Sequence, residues 1–154
     1  RLCFLSTNYR SPINFSGEVL ENFRNDMKKI ENSIYKSYFL FVLNKVNNDE
    51  VLDEYVDEFI SYMSDDLNCA NGVSVFNKLI KELNLAIRKS KLKEAKSFFN
   101  TILKINEVLG FKFEFDNIGE NEIDLYYKWD QFRKEKDFKK ADIIRKELEE
   151  KNII

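Results

Sequence analysis

From Leu20 to Phe41, apolar side chains return at steps of three and four residues, through Phe23, Met27, Ile30, Ile34 and Tyr38, with no glycine or proline between them. That spacing lays one broad stripe along a helix and does not fit a strand, whose faces alternate every second residue. A long helix that is apolar on one side must bury that side against other helices, so the chain is committed to a bundle. One proline and four glycines in 154 residues argue against an all-β fold, which needs many tight turns. The reading predicts a helix from Gly17 to about Val46, capped by Ser16 with Glu18 near its positive end, and ended by Asn47 and Asn48. Its aromatic run, Tyr35, Tyr38, Phe39 and Phe41, reads as core packing rather than as a platform for bases.

The same periodicity predicts a second helix over about Glu50 to Met63, burying Leu52, Tyr55, Val56, Phe59 and Met63. A third runs from Asn68 to Lys89 on Val73, Phe76, Leu79, Ile80, Leu83 and Ile87, with Asp65, Asp66 and Asn68 as its start residues. A fourth, about Leu92 to Leu109, carries Ala95, Phe98, Phe99, Ile102 and Ile105 and stops at Gly110 as a left-handed cap. Phe111, Phe113 and Phe115 alternate with polar residues, but a lone strand is unstable, so an extended linker docked by its phenylalanines is expected. A final hairpin follows, Glu122 to Lys136 and Phe138 to Lys151. The chain therefore divides into a connector (1–16), an antiparallel bundle (17–110), a linker (111–121) and a small helical hairpin subdomain (122–154), an all-α fold throughout.

Histidine is absent, which removes the commonest general base and the commonest metal ligand, so no catalytic residue and no metal site are assigned. Cys3 and Cys69 are too few and too distant for a disulfide scaffold, and fit a reducing, cytoplasmic compartment. No apolar run approaches the length of a membrane span. The net charge of −2 hides an asymmetry: eight acidic and no basic residues from Asp49 to Asp66, against eight basic and two acidic from Lys78 to Lys104. The acidic face would repel phosphate, while the basic residues around Arg88, Lys89 and Lys91, with Arg10, are candidate phosphate contacts.

The most informative stretch lies near the C-terminus. Asp137 can cap a helix on which Ala141, Ile144 and Leu148 form one buried stripe. Phe138, Asp142 and Arg145 fall on a neighbouring face, with Arg133 just before the turn. From Lys128 to Lys146 there are eight Lys or Arg against four Asp or Glu. A flat ring, a carboxylate and guanidinium groups together can stack on a base, accept from its amine and hold phosphate. Spacing alone favours an ordinary amphipathic hairpin with a solvated face, as in a small helical adaptor that binds other proteins and no nucleic acid.

Arg133, Lys136-Asp137-Phe138, Ala141-Asp142, Arg145 and Leu148 resemble the R-x-x-K-D-[WF]-x-x-A-D-x-x-R-x-x-L pattern in the C-terminal region of bacterial cysteinyl-tRNA synthetases. Two further blocks match the same family in order. Tyr9-Arg10-Ser11-Pro12-Ile13-Asn14-Phe15-Ser16 resembles H-Y-R-S-P-[IL]-N-[FY]-S, with Asn8 at the usual His, and Met63-Ser64-Asp65-Asp66-Leu67-Asn68 resembles M-x-D-D-[FL]-N, with Cys69 at the following Thr. The resemblance implies the end of a stem-contact segment, a DALR-type helical bundle and the start of an anticodon-binding hairpin. It also implies a parent enzyme that joins cysteine to tRNA(Cys) with ATP, magnesium and one zinc ion. That chemistry belongs to a dinucleotide-fold domain whose HIGH and KMSKS signatures do not occur in these residues. The implied partners are tRNA(Cys) and the catalytic domain of the same polypeptide, in a monomer. By the resemblance, Arg133 contacts base or phosphate, Phe138 stacks in place of the more frequent Trp, and Asp142 accepts from a base amine. Arg145 holds phosphate or pins Asp142. The family continues past the pattern with further conserved-type motifs, so the anticodon site is expected to be incomplete within a fragment such as this.

Overall fold

The structure, a computed structural model, describes residues 1–7, 10, 16–115, 117–151 and 153. Their regular structure consists of α1 (Leu2–Leu5), α2 (Gly17–Leu43), α3 (Asp53–Ser64), α4 (Cys69–Arg88), α5 (Leu92–Leu109), α6 (Glu120–Lys134) and α7 (Phe138–Glu150), with no strand among the described residues. The expected all-α fold is observed. Of the Tyr9–Ser16 block, only Arg10 and Ser16 lie within the described residues, and Asn8 just before it lies outside them.

Helix ends follow the local chemistry of caps. The Ser16 Oγ accepts from the Val19 amide at 3.2 Å, and the Asn68 side chain accepts from the Asn71 amide at 3.3 Å. Gly110 adopts φ 68°, and a β-carbon there would run into the Arg1 guanidinium, which donates to the Gly110 carbonyl. Three boundaries in the bundle differ from expectation. Helix α2 ends at Leu43 rather than near Val46, because Lys45 takes a left-handed φ of 50°. Asp65 and Asp66 do not start α4: Asp65 closes α3, Asp66 and Leu67 are left-handed, and Asn68 alone caps.

The third difference has a packing cause. Residues 44–52 form a strap along α5, so α3 begins at Asp53 and not at Glu50. Ser97 and Thr101 are buried on α5, and buried hydroxyls need partners. Ser97 accepts from the Asn48 amide group at 2.8 Å and donates to the Glu50 carboxylate at 2.7 Å. Thr101 accepts from the Leu52 amide at 2.9 Å, and Asn100 donates to the Asn48 carbonyl at 2.9 Å. Glu50 is thus an acceptor for α5 rather than a helix-start carboxylate; only Asp53 and Glu54 occupy the first turn of α3.

The main core joins α2, α3, α4 and α5 around Ile34, Phe59, Phe76, Leu79, Leu83, Phe99 and Ile102. Leu20, expected on the buried face, is 45% exposed because it lies at the outer end of α2. Phe111, Phe113 and Phe115 dock into the same core as expected of the linker. Phe111 meets Phe76 at 5.5 Å between ring centroids, and Phe115 meets Tyr38 at 4.7 Å.

Helix α2 carries two stripes, not one. Ile30, Ile34, Ser37 and Phe41 are buried and are spaced by four, three and four residues. Asn32, Lys36, Phe39 and Leu43 repeat that spacing two residues along. The last two of these enter a second apolar cluster, built from Phe39, Leu43, Ile118, Leu125, Tyr126, Trp129, Ile144, Leu148 and Ile153. This cluster seats the α6–α7 hairpin on the bundle's longest helix.

Candidate nucleic-acid interface

The hairpin is fixed at both ends. Glu122 accepts from the Gly119 amide at 3.1 Å and pairs with Lys151 at 2.8 Å, joining the start of α6 to the end of α7. Those contacts, Lys151 first, hold the Glu122 carboxyl below its ordinary range. At the tip, Lys136 takes φ 59° and Asp137 caps α7 by accepting from the Lys140 amide at 3.3 Å. Asp137 also pairs with the Lys140 ammonium at 3.0 Å, which lowers its carboxyl and raises the amine. Ala141 and Leu148 are buried and Ile144 packs beside them, so the expected stripe of α7 faces inward.

The neighbouring face of α7 opens on a groove of about 620 Å³, lined by α7, by Trp129 and Arg133 of α6, and by Asn32 and Lys36 of α2. All four side chains expected to read RNA (Arg133, Phe138, Asp142 and Arg145) line it. Phe138 is 63% exposed, and Asp142 is exposed as well. An aromatic residue placed this openly, beside the packed positions Ala141, Ile144 and Leu148, is available to stack.

Within the groove, contacts divide the work. The Arg133 guanidinium lies over the Trp129 ring at 4.7 Å from the centroid. Trp129 packs on Tyr126 at 5.5 Å, and Tyr126 on buried Phe39 at 5.0 Å, so Arg133 rests on a column of rings anchored in α2. Burial also pushes the Tyr126 hydroxyl above its ordinary value. Arg145 pairs with Glu149 at 2.8 Å rather than with Asp142, leaving the Asp142 carboxylate open to the groove.

The second set of expected contacts is not in the groove. Arg88, Lys89 and Lys91 sit at the α4–α5 turn, where Lys91 pairs with Glu94 at 2.9 Å. Arg10 pairs with Asp66 at 2.9 Å. Sequence reading missed Trp129, Asn32, Lys36 and Glu149 as lining residues. Trp129 was legible, since it lies four residues before Arg133 and one turn apart on a helix puts two side chains in contact.

Among the described residues, no group of three or more His, Cys, Asp or Glu side chains could hold a metal ion. Cys3 is buried in α1 and Cys69 opens α4, so these residues do not fit the zinc that the resemblance assigns to the parent enzyme.

The DALR domain family matches residues 58–114, from within α3 to the docked linker, so this part of the helical bundle is similar to that domain. Over its whole length the chain is 34% identical to the cysteine--tRNA ligase of Acholeplasma laidlawii, covering 34% of that protein. It is also 32% identical to the ligase of the same name from Mycoplasma mycoides and 33% identical to that of Anoxybacillus flavithermus, each over all of this chain and 35% of the relative. The chain is thus similar over its whole length to the C-terminal part of these ligases. It spans about a third of the length of the curated relatives it matches.

Proposed function

We propose that the chain is the tRNA-positioning part of an enzyme that attaches cysteine to tRNA(Cys) with ATP, and that the groove between α2, α6 and α7 reads the anticodon. One observation carries the reading: Arg133, Phe138, Asp142 and Arg145, drawn from two helices, converge on a single open groove. Phe138 supplies a face for an unstacked base, Asp142 an acceptor for an exocyclic amine, and Arg133 a guanidinium, held over Trp129, for a base edge or phosphate. Arg145, held by Glu149, supports the edge of the groove and adds positive charge.

The bundle (17–110) acts as a spacer between this hairpin (122–154) and the catalytic domain, with residues 1–16 and 111–121 as connectors. Arg10, Arg88, Lys89 and Lys91 are assigned to tRNA backbone contacts remote from the anticodon. ATP, magnesium and zinc belong to the catalytic part of the enzyme, which acts in the cytoplasm as a monomer. No helix among the described residues is long and apolar enough to cross a membrane. A protein-adaptor role has little to support it, since the groove lining is charged where the centre of a protein interface is usually apolar.

Titrating transcribed tRNA(Cys) into the intact protein at rising salt tests the reading. Log affinity should fall linearly with log salt, as counterions released by bound phosphates require. Affinity indifferent to salt, or equal for a tRNA with a changed anticodon, contradicts it.

A further inference from the structure

The second stripe of α2 changes character along its length. Phe39 and Leu43 are apolar and enter the cluster beneath the hairpin, while Lys36 and Asn32, one and two turns nearer the N-terminus than Phe39, are exposed and line the groove. The helix that seats the hairpin therefore also forms one wall of its groove. Three cations line that space, Lys36, Arg133 and Arg145, against the carboxylates of Asp142 and Glu149. Glu149 is taken by Arg145, and Arg133 lies over Trp129. Lys36 has no carboxylate at salt-bridge distance among the described residues, whereas Lys29 on the same helix pairs with Asp26 at 2.9 Å.

We propose that Lys36, with Asn32 one turn away, is a phosphate-binding element of the groove, so that a single RNA strand bound to the hairpin is held on its other side by the bundle. α2 lines the same opening as Phe138 and Asp142, so Lys36 is within the space that the sugar-phosphate of a base stacked on Phe138 would occupy. An ammonium is a point charge that suits a phosphate without a fixed fork geometry, and an amide one turn away can donate to the same oxygen or to a ribose hydroxyl. Occupancy then adds a polar link between two units joined by the apolar cluster around Phe39 and Leu148, and α2 becomes part of the recognition surface rather than a strut. This inference rests on the anticodon reading proposed above.

The test uses the intact protein and transcribed tRNA(Cys), with affinity measured across a series of KCl concentrations. Lys36→Gln should lower the slope of log affinity against log salt by about 0.7, the share of one single-strand phosphate. Lys36→Arg should keep the slope, and Lys29→Gln should leave it unchanged. Phe138→Ala serves as the internal reference, because it should weaken binding without altering the slope. A slope unchanged in Lys36→Gln, while Phe138→Ala still weakens binding, overturns the role of α2 alone. If neither variant changes binding, the anticodon reading fails and this inference fails with it.

Discussion

The Arg133 guanidinium and the Trp129 ring stack at 4.7 Å one turn apart on α6, and beneath them Tyr126 and Phe39 continue the column into the bundle. The contact restrains the guanidinium before any ligand arrives, which lowers the entropy lost on binding. Replacing Trp129 by Leu should free Arg133 and weaken tRNA binding by about 0.5–1 kcal/mol, the worth of an exposed cation–π contact. Trp129→Phe should recover most of the loss. Trp129 is the sole tryptophan of the chain, so its fluorescence should respond when tRNA enters the groove.

Phe138 makes little use of its ring in the folded protein, being 63% exposed. Phe138→Ala should therefore leave the melting temperature almost unchanged while costing about 1–3 kcal/mol of tRNA affinity, as loss of one base stack does. Phe138→Trp, with a larger face, should bind at least as tightly. Calorimetry and a binding titration on the same samples separate the two effects.

Leu148 behaves in the opposite way. It is fully buried in the cluster that seats the hairpin, and Leu148→Ala should cost about 2–5 kcal/mol of local stability. The main core lies elsewhere, so hydrogen exchange should rise in α6 and α7 and remain slow in α4 and α5. tRNA binding should fall with it, since the groove loses the wall that α7 provides.

The fold was largely readable because helical periodicity is strong from Leu20 to Leu109, and Gly110, Ser16 and Asp137 mark helix ends by simple chemistry. The strap over 44–52 was not readable: its conformation is set by Ser97 and Thr101, about fifty residues away, and a propensity window cannot see across that distance. The groove was half readable. Phe138, Asp142 and Arg145 announce themselves by spacing on one helix, but Asn32 and Lys36 become neighbours only when α2 and the hairpin dock. Their signal was the second four-three-four stripe of α2, hidden because its Phe39 was grouped with other aromatics of the same helix.

Acid should loosen the hairpin before the bundle. The Glu122 and Asp137 carboxyls are held below their ordinary values of 4.5 and 3.8, by Lys151 and Lys140 respectively. A depressed folded-state value means that their contribution is fully present above those ordinary values and is lost as pH falls through the lower, folded ones. Both groups are at the surface, so the effect should be small and should shrink in high salt. Amide chemical shifts of α6 and α7 followed from pH 6 to about pH 2 check this, and Glu122→Gln should remove most of the pH dependence at that end of the hairpin.

The central claim is that the groove reads tRNA and takes no part in activating the amino acid. Arg133→Ala and Asp142→Ala in the intact enzyme should each reduce charging of tRNA(Cys) by about tenfold or more, the order of 1–3 kcal/mol expected for a base-reading contact. Cysteine-dependent exchange of pyrophosphate into ATP, measured on the same preparations, should remain at the level of the unaltered enzyme. An equal fall in both reactions, or full charging by both variants, would contradict the account.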